Sequence, residues 1–316
     1  MLLCESESRS RLNARIALWI AIPLLFFACS TTLPQDPKPD TLAEQALCDL
    51  ETASGICFHL IGHRGAAAYA PENTLASVEK AVALGTLEVE IDVQLSKDGV
   101  VMLFHDGTLD EKTNLTGPVR EHTAAVLLEA DIGSWFDKVH PESEERFAGT
   151  PLDRFEDLLS EFGDRIYYHV ELKSLEPELP GLVVEALERH NLIRRATITS
   201  FDVAQLERTR LLSPRSPTCW LLRSRLPKDA LLGEALLIEQ TEMLERAKRA
   251  GFQMVGIRAN RLSPEILALA RAQGLGIRAF GIKNDADMER VLALAADGMT
   301  TNWPDRLRAR LESQRP

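Results

Sequence analysis

From Phe58 to Thr301 the chain alternates between short apolar runs and stretches whose apolar residues recur at helical spacing. That alternation constrains the fold more than any other feature. Strands are expected at Phe58–Gly62, Leu87–Leu95, Val100–His105, Ile166–Leu172, Ala196–Thr199, Cys219–Leu222, Met254–Ile257, Ile277–Phe280 and Met299–Thr301. Helices are expected between them, near Asn73–Leu84, Leu152–Phe162, Pro180–His190, Val203–Leu212, Ile238–Ala250, Pro264–Gln273 and Ala286–Ala295. Repeated strand–helix units predict a parallel α/β fold. A doubly wound sheet satisfies the pattern too, but about eight units favour a closed (β/α)8 TIM barrel. No GxGxxG or GxxxxGK[ST] follows a strand, so nucleotide-fold signatures are absent. Residues 106–150 break the rhythm with many polar groups, and we expect an insertion in an early βα loop.

In a barrel, chemistry gathers at the C-terminal ends of the strands. His63-Arg64-Gly65 follows the opening strand, and Gly65 lets a backbone come close. In Pro71-Glu72-Asn73-Thr74, Asn73 or Thr74 is suited to cap the next helix. Strand periodicity puts Glu90 and Asp92 on one face, leaving Val89, Ile91 and Val93 for the core. Two such carboxylates repel and lose solvation unless they are paired or bind a metal. Phe104-His105-Asp106 ends the next run, and Glu171 and Lys173 share a face with His169. That last face reads either as an ion pair or as a third acidic ligand beside a cation aimed at phosphate. Three carboxylates, two histidines and an Arg/Lys pair suit a hard divalent cation, Ca²⁺ or Mg²⁺, together with a phosphate.

Taken jointly, Gly62-His63-Arg64-Gly65, Pro71-Glu72-Asn73-Thr74, Glu90-x-Asp92-Val93, Lys97-Asp98-Gly99 and Phe104-His105-Asp106 resemble the N-terminal signature of the glycerophosphodiester phosphodiesterase family. Glu171-x-Lys173, Ser200-Phe201-Asp202, Ala279-Phe280-Gly281, Asp297-Gly298 and Pro304-Asp305 extend the resemblance over roughly residues 58 to 310. The resemblance implies a TIM barrel that hydrolyses glycerophosphodiesters to glycerol 3-phosphate and an alcohol. It further implies Glu90, Asp92 and Glu171 as metal ligands, and His63 and His105 as general acid and base. Arg64 and Lys173 would bind phosphate oxygens, and Phe280 would contact substrate. Two positions depart from the pattern: Phe280 stands where relatives often carry Trp, and Asn302 where an Asp is common. A lysophospholipase D-like activity on a lipid diester is the enzymatic alternative. A non-catalytic phosphodiester-binding lipoprotein is the alternative from another class, although a pure binder has no need of two histidines.

The N-terminus carries an export pattern. Arg9, Arg11 and Arg15 precede an apolar run from Ile16 to Ala28, too short to cross a membrane as a mature helix. Ala28-Cys29-Ser30 at its end resembles a bacterial lipoprotein signal, in which the Cys is lipidated and becomes the new N-terminus. We therefore expect a signal peptide over 1–28, a lipid-anchored tether over 29–55 and the phosphodiesterase domain over 56–316. A plain signal peptide or an uncleaved anchor would also fit. The expected location is the periplasmic side of a bacterial membrane or the periplasm, with the membrane as partner through the anchor and a glycerophosphodiester or lysolipid as substrate. Cys48 and Cys57 could pair after export, and Cys219 reads as a buried inert thiol. A net charge of −11 argues against general nucleic-acid binding, which needs a basic footprint.

Overall fold

The computed structural model describes residues 57–227 and 233–313. The expected export signal and the whole of the expected tether, Cys29 and Cys48 included, lie outside the described residues. Cys57 is disulfide-bonded.

Eight parallel strands form one ring: β1 (His59–His63), β2 (Glu88–Leu95), β4 (Tyr167–Leu172), β5 (Ala196–Ser200), β6 (Thr218–Leu221), β7 (Met254–Arg258), β8 (Gly276–Phe280) and β9 (Gly298–Thr301). β1 pairs with β9 on one side and β2 on the other, which closes the barrel and excludes a doubly wound sheet. Helices α1 (Leu75–Ala83), α4 (Phe155–Phe162), α5 (Leu179–Arg189), α6 (Val203–Leu212), α7 (Glu234–Arg249), α8 (Pro264–Ala272) and α9 (Asp285–Ala293) separate successive strands. Residues able to accept backbone N–H bonds start several of them. Thr74, Asp202, Ser263 and Asn284 each cap the helix that follows, a contribution of about 1 kcal/mol apiece. A last helix, α10 (Pro304–Ser313), follows β9.

One strand differs from expectation. Val100–His105 reads as a member of the α/β series, but β3 (Val101–Leu103) runs antiparallel to β2 and lies outside the ring. The reason is the connection. Lys97-Asp98-Gly99 is a tight turn with Gly99 at φ +79°, and a parallel partner needs a crossover of a dozen or more residues. The chain thus folds back on β2, and Phe104 donates its N–H to the Asp92 carbonyl at 3.1 Å. The insertion follows, with two short helices, α2 (Ala124–Leu127) and α3 (Gly133–Val139). It has its own core, in which Met102, Phe104, Leu109, Val119, Leu127 and Ile132 pack together.

Strand periodicity sorts the side chains. Val89, Ile91 and Val93 of β2, Trp220 of β6, and Val255 and Ile257 of β7 face the helices in the main core. The alternate positions point inward. On the β6–β7 side these are apolar: Cys219, Leu221 and Met254. On the β1–β2–β4 side they are ionisable: His59, Glu88, Glu90, Asp92, His169 and Glu171, all buried. The lowest of these form a polar group. Glu88 binds His59 Nδ1 at 2.8 Å and His169 Nε2 at 2.9 Å.

Candidate active site

The polar side of the barrel opens at its C-terminal rim. There Glu90, Asp92 and Glu171 bring one carboxylate oxygen each within 4.8 Å of one another. β2 and β4 set this directly: Asp92 pairs with Glu171 in register, and Glu90 sits one inward position lower. All three are buried. Burial and the neighbouring Asp92 and Glu171 charges push the Glu90 carboxyl well above its ordinary range. Burial and Asp92 likewise raise Glu171. Burial would raise Asp92 too, but Lys173 and Arg64 outweigh it and hold that carboxyl well below the usual carboxylate range. Lys173 Nζ lies 2.6 Å from Glu171 and 3.2 Å from Asp92, and Arg64 Nε 3.2 Å from Asp92. Asp92 Oδ1 nonetheless accepts no aligned hydrogen bond. A buried carboxylate oxygen whose nearest donor is misaligned, in a group of three carboxylates on two strands, fits a hard divalent cation.

The loop after β1 aims its groups by strained backbone. Arg64 and Asn73 adopt left-handed conformations at φ 52° and 57°, a state that costs non-glycine residues about 1–3 kcal/mol and concentrates at functional sites. In that conformation the Arg64 N–H donates to Glu90 Oε2 at 3.2 Å. Asn73 clamps Asp92 twice: its Nδ2 donates to the carboxylate at 2.9 Å, and its Oδ1 accepts the Asp92 N–H at 2.9 Å. Capping of α1 falls to Thr74. Gly65, at φ +85°, lies against Ser77, and a Cβ there would come within 2.5 Å of the Ser77 carbonyl carbon.

The two candidate histidines flank the carboxylates on different supports. His63 ends β1, with Nε2 3.9 Å from Glu90 and Nδ1 2.5 Å from Asn302 Oδ1. Burial and the adjacent Arg64 guanidinium lower its pKa, disfavouring the imidazolium. His105 follows β3, and its Nδ1 is 2.5 Å from Asp106. Its ring, Glu72 and Asp106 bring ligand atoms within 4.8 Å of one another, and Arg64 spans from Glu72 to Asp92, which links this group to the carboxylates. The first imidazole is thus held by a neutral amide and the second by a carboxylate.

Lys112 escaped the sequence reading altogether. It follows Asp110-Glu111, which reads as a solvated loop. Yet the residue is buried, and its Nζ joins Glu72 at 2.8 Å to Asp106 at 2.9 Å. Glu72 in turn holds Arg64 at 2.7 Å. Lys112 therefore ties the support of His105 to the support of Arg64. The signal that could have found it is Asp106, an acid beside a candidate site residue whose nearest following cation in the sequence is Lys112. Glu72, His105 and Asp106 form a second group of potential ligand atoms, but Lys112 already serves its two carboxylates. Phe280 stands apart from the carboxylates on the other side of the mouth, packed edge to face on Phe201 at 5.6 Å.

Residues 63–306 match the model of the glycerophosphoryl diester phosphodiesterase family. The chain belongs to that family. It is 32% identical over 254 residues to a glycerophosphodiester phosphodiesterase of Bacillus subtilis, covering 78% of this chain and 83% of that protein. A second such enzyme, from Caldanaerobacter subterraneus subsp. tengcongensis, is 28% identical over 252 residues, covering 78% of this chain and 95% of its own. Among solved structures, a glycerophosphodiester phosphodiesterase of Agrobacterium tumefaciens superposes with a TM-score of 0.63 at 26% identity, covering 79% and 98% of the two chains. An Oleispira antarctica phosphodiesterase, determined with the product sn-glycerol-3-phosphate, superposes with a TM-score of 0.66 at 24% identity, covering 80% and 96%. The expected phosphodiesterase barrel is therefore borne out. Of the two departures from the family pattern, Asn302 meets His63 and Phe280 meets Phe201.

Proposed function

We propose that this member of the family hydrolyses glycerophosphodiesters to glycerol 3-phosphate and an alcohol, with a divalent cation and two histidines of opposed roles. The observation that carries the reading is the convergence of Glu90, Asp92 and Glu171 within 4.8 Å, flanked by His63 and His105. Those three carboxylates would hold the cation. When bound, it would polarise the phosphoryl group and offset developing negative charge. Arg64 and Lys173, on either side of Asp92, orient the phosphate oxygens. The Oleispira antarctica phosphodiesterase holding sn-glycerol-3-phosphate supports the assignment of substrate.

The supports of the two rings favour one division of labour. With Asn302 Oδ1 as acceptor, His63 Nδ1 carries the proton and Nε2 is free to take one. A neutral amide gives an imidazolium no charge to lean on, so His63 suits the base that deprotonates the attacking hydroxyl. That hydroxyl could belong to the substrate's own glycerol, which gains the advantage of proximity. Asp106 holds His105 through Nδ1 and so leaves Nε2 to face the substrate, which suits the acid that gives its proton to the leaving alkoxide.

Metal-stripped protein assayed for released glycerol 3-phosphate, with and without added Ca²⁺ or Mg²⁺, tests the cation. Activity should vanish on stripping and return with the ion; full turnover in excess chelator rules the reading out. His63→Ala and His105→Ala should each lower kcat by about 10²–10⁴. A lysolipid arm in the same panel tests the lysophospholipase D alternative. For the N-terminus, the lipoprotein-like Ala28-Cys29-Ser30 supports attachment to a bacterial membrane through Cys29.

A further inference from the structure

The mouth of the barrel has a second, cationic half that the chemistry above does not use. Arg223 follows β6 and Arg258 ends β7. Leu221 pairs with Gly256, which brings the two arginines level at the rim. Each guanidinium lies against a ring: Arg223 is 4.5 Å from the centroid of Phe201, and Arg258 5.3 Å from that of Phe280. The two rings touch edge to face at 5.6 Å. Lys173 Nζ is 5.8 Å from the same Phe201 centroid, so the patch adjoins the group assigned to the phosphate.

What marks this patch is its lack of counter-charge. The chain carries 47 acidic against 36 basic side chains, and around the carboxylate group each cation is paired. Among the described residues neither Arg223 nor Arg258 has a carboxylate within 4.0 Å or a hydrogen bond to its guanidinium. Burial and the neighbouring Arg261 and Arg223 charges lower the pKa of Arg258, the mark of like charges held together. Each guanidinium carbon lies over a phenylalanine ring, and the guanidinium N–H groups have no protein acceptor among the described residues, so they can receive an anion. Gly281 gives Arg258 its room: a Cβ there would lie 3.0 Å from the guanidinium Nη1, and its φ is +72°.

Building on the proposed reaction, we infer that Arg223 and Arg258, held by Phe201 and Phe280, form a subsite for a second anionic group carried on the leaving alcohol of the diester. The substrate class is then a glycerophosphodiester whose alcohol bears a phosphate or a carboxylate, in preference to a neutral or cationic alcohol. The phosphoryl centre rests against Lys173, and the extra anion reaches the arginines across the Phe201 ring.

The test compares kcat/KM, on metal-loaded protein, for glycerophosphodiesters of glycerol, choline, serine and glycerol phosphate. The glycerol diester is the reference: if wild type fails to turn it over, the proposed reaction itself is wrong. If it is turned over, the inference predicts a preference of at least about tenfold for the serine or the glycerol phosphate diester. Which of these two leads identifies carboxylate or phosphate. Arg223→Gln and Arg258→Gln should each lower the ratio of anionic to neutral kcat/KM by about tenfold. Raised ionic strength should lower the same ratio. Arg223 is exposed, so its substitution keeps the result readable should Arg258→Gln fail to fold. Equal kcat/KM for charged and neutral alcohols, or a ratio unmoved by Arg223→Gln, overturns the inference.

Discussion

Replacing Lys112 by Met tests whether the insertion holds the proposed catalytic groups or merely sits beside them. The substitution keeps the length of the stem and removes the charge that joins Glu72 at 2.8 Å to Asp106 at 2.9 Å. Deleting one partner of a fully buried pair costs about 3–5 kcal/mol. Here each carboxylate keeps another partner, Arg64 for Glu72 and His105 for Asp106. The Asp106 side chain is also 26% exposed, so water recovers part of its solvation. An expected loss of about 2 kcal/mol follows, or a fall in Tm of about 4–8 °C for a domain of this size. Losing a group that orients a catalytic side chain typically lowers activity about 10–100-fold, and the loss should fall on kcat with KM little changed. Lys112→Arg, which keeps the charge, should restore most of both. Calorimetry and steady-state kinetics on the three proteins decide it. A Lys112→Met variant of lowered Tm but wild-type kcat makes the lysine structural only. Wild-type values of both refute the linkage.

Further expectations concern charge and attachment. Asn302→Asp places a carboxylate on His63 and should raise its depressed pKa, so the acid limb of the kcat/KM profile moves to higher pH; an unmoved limb removes His63 as base. The barrel floor should weaken in acid. His169 is depressed to about 4 from 6.5, chiefly by burial, and its stabilisation is lost as pH falls from 6.5 through 4. Burial raises Glu88, but His59 and His169 outweigh it and hold the carboxyl at about 2, against 4.5 unperturbed, so its share is lost as pH falls from 4.5 through 2. Denaturant midpoints that stay flat between pH 7 and 4 would contradict this. A bound divalent cation at a hundred times its Kd should add about 2.7 kcal/mol of stability, seen as a higher Tm that Glu171→Gln diminishes. Mass spectrometry of the mature protein should find a diacylglycerol-modified Cys29; a free N-terminus beyond Cys29 would defeat the anchor.

Much of the barrel was legible because its rules are local. Period-two alternation in β2 is enough to send Glu90 and Asp92 one way and Val89, Ile91 and Val93 the other, as the packing has it. Apolar periodicity located the helices between strands, but not α10, whose Arg306, Arg308 and Arg310 make it too polar to read as amphipathic. The direction of β3 was readable in principle from its turn and was missed, because the apolar run alone looks like any other strand. Lys112 and the bond of Asn302 to His63 were beyond local rules. The first depends on how a 45-residue insertion folds back, the second on a pairing across 239 positions.

The ring closes from β1 to β2 without β3. His105 therefore rides on a cassette with a hydrophobic core of its own, while His63 and the three carboxylates are built into the staves. On the proposed assignment, a barrel of this design can exchange its proton donor as a unit, leaving the proposed base and cation ligands in place. Chimeras that take the segment between Ser96 and Asp153 from a relative should then inherit the alkaline limb of that relative's pH profile. The acid limb and the cation affinity would stay with the host barrel.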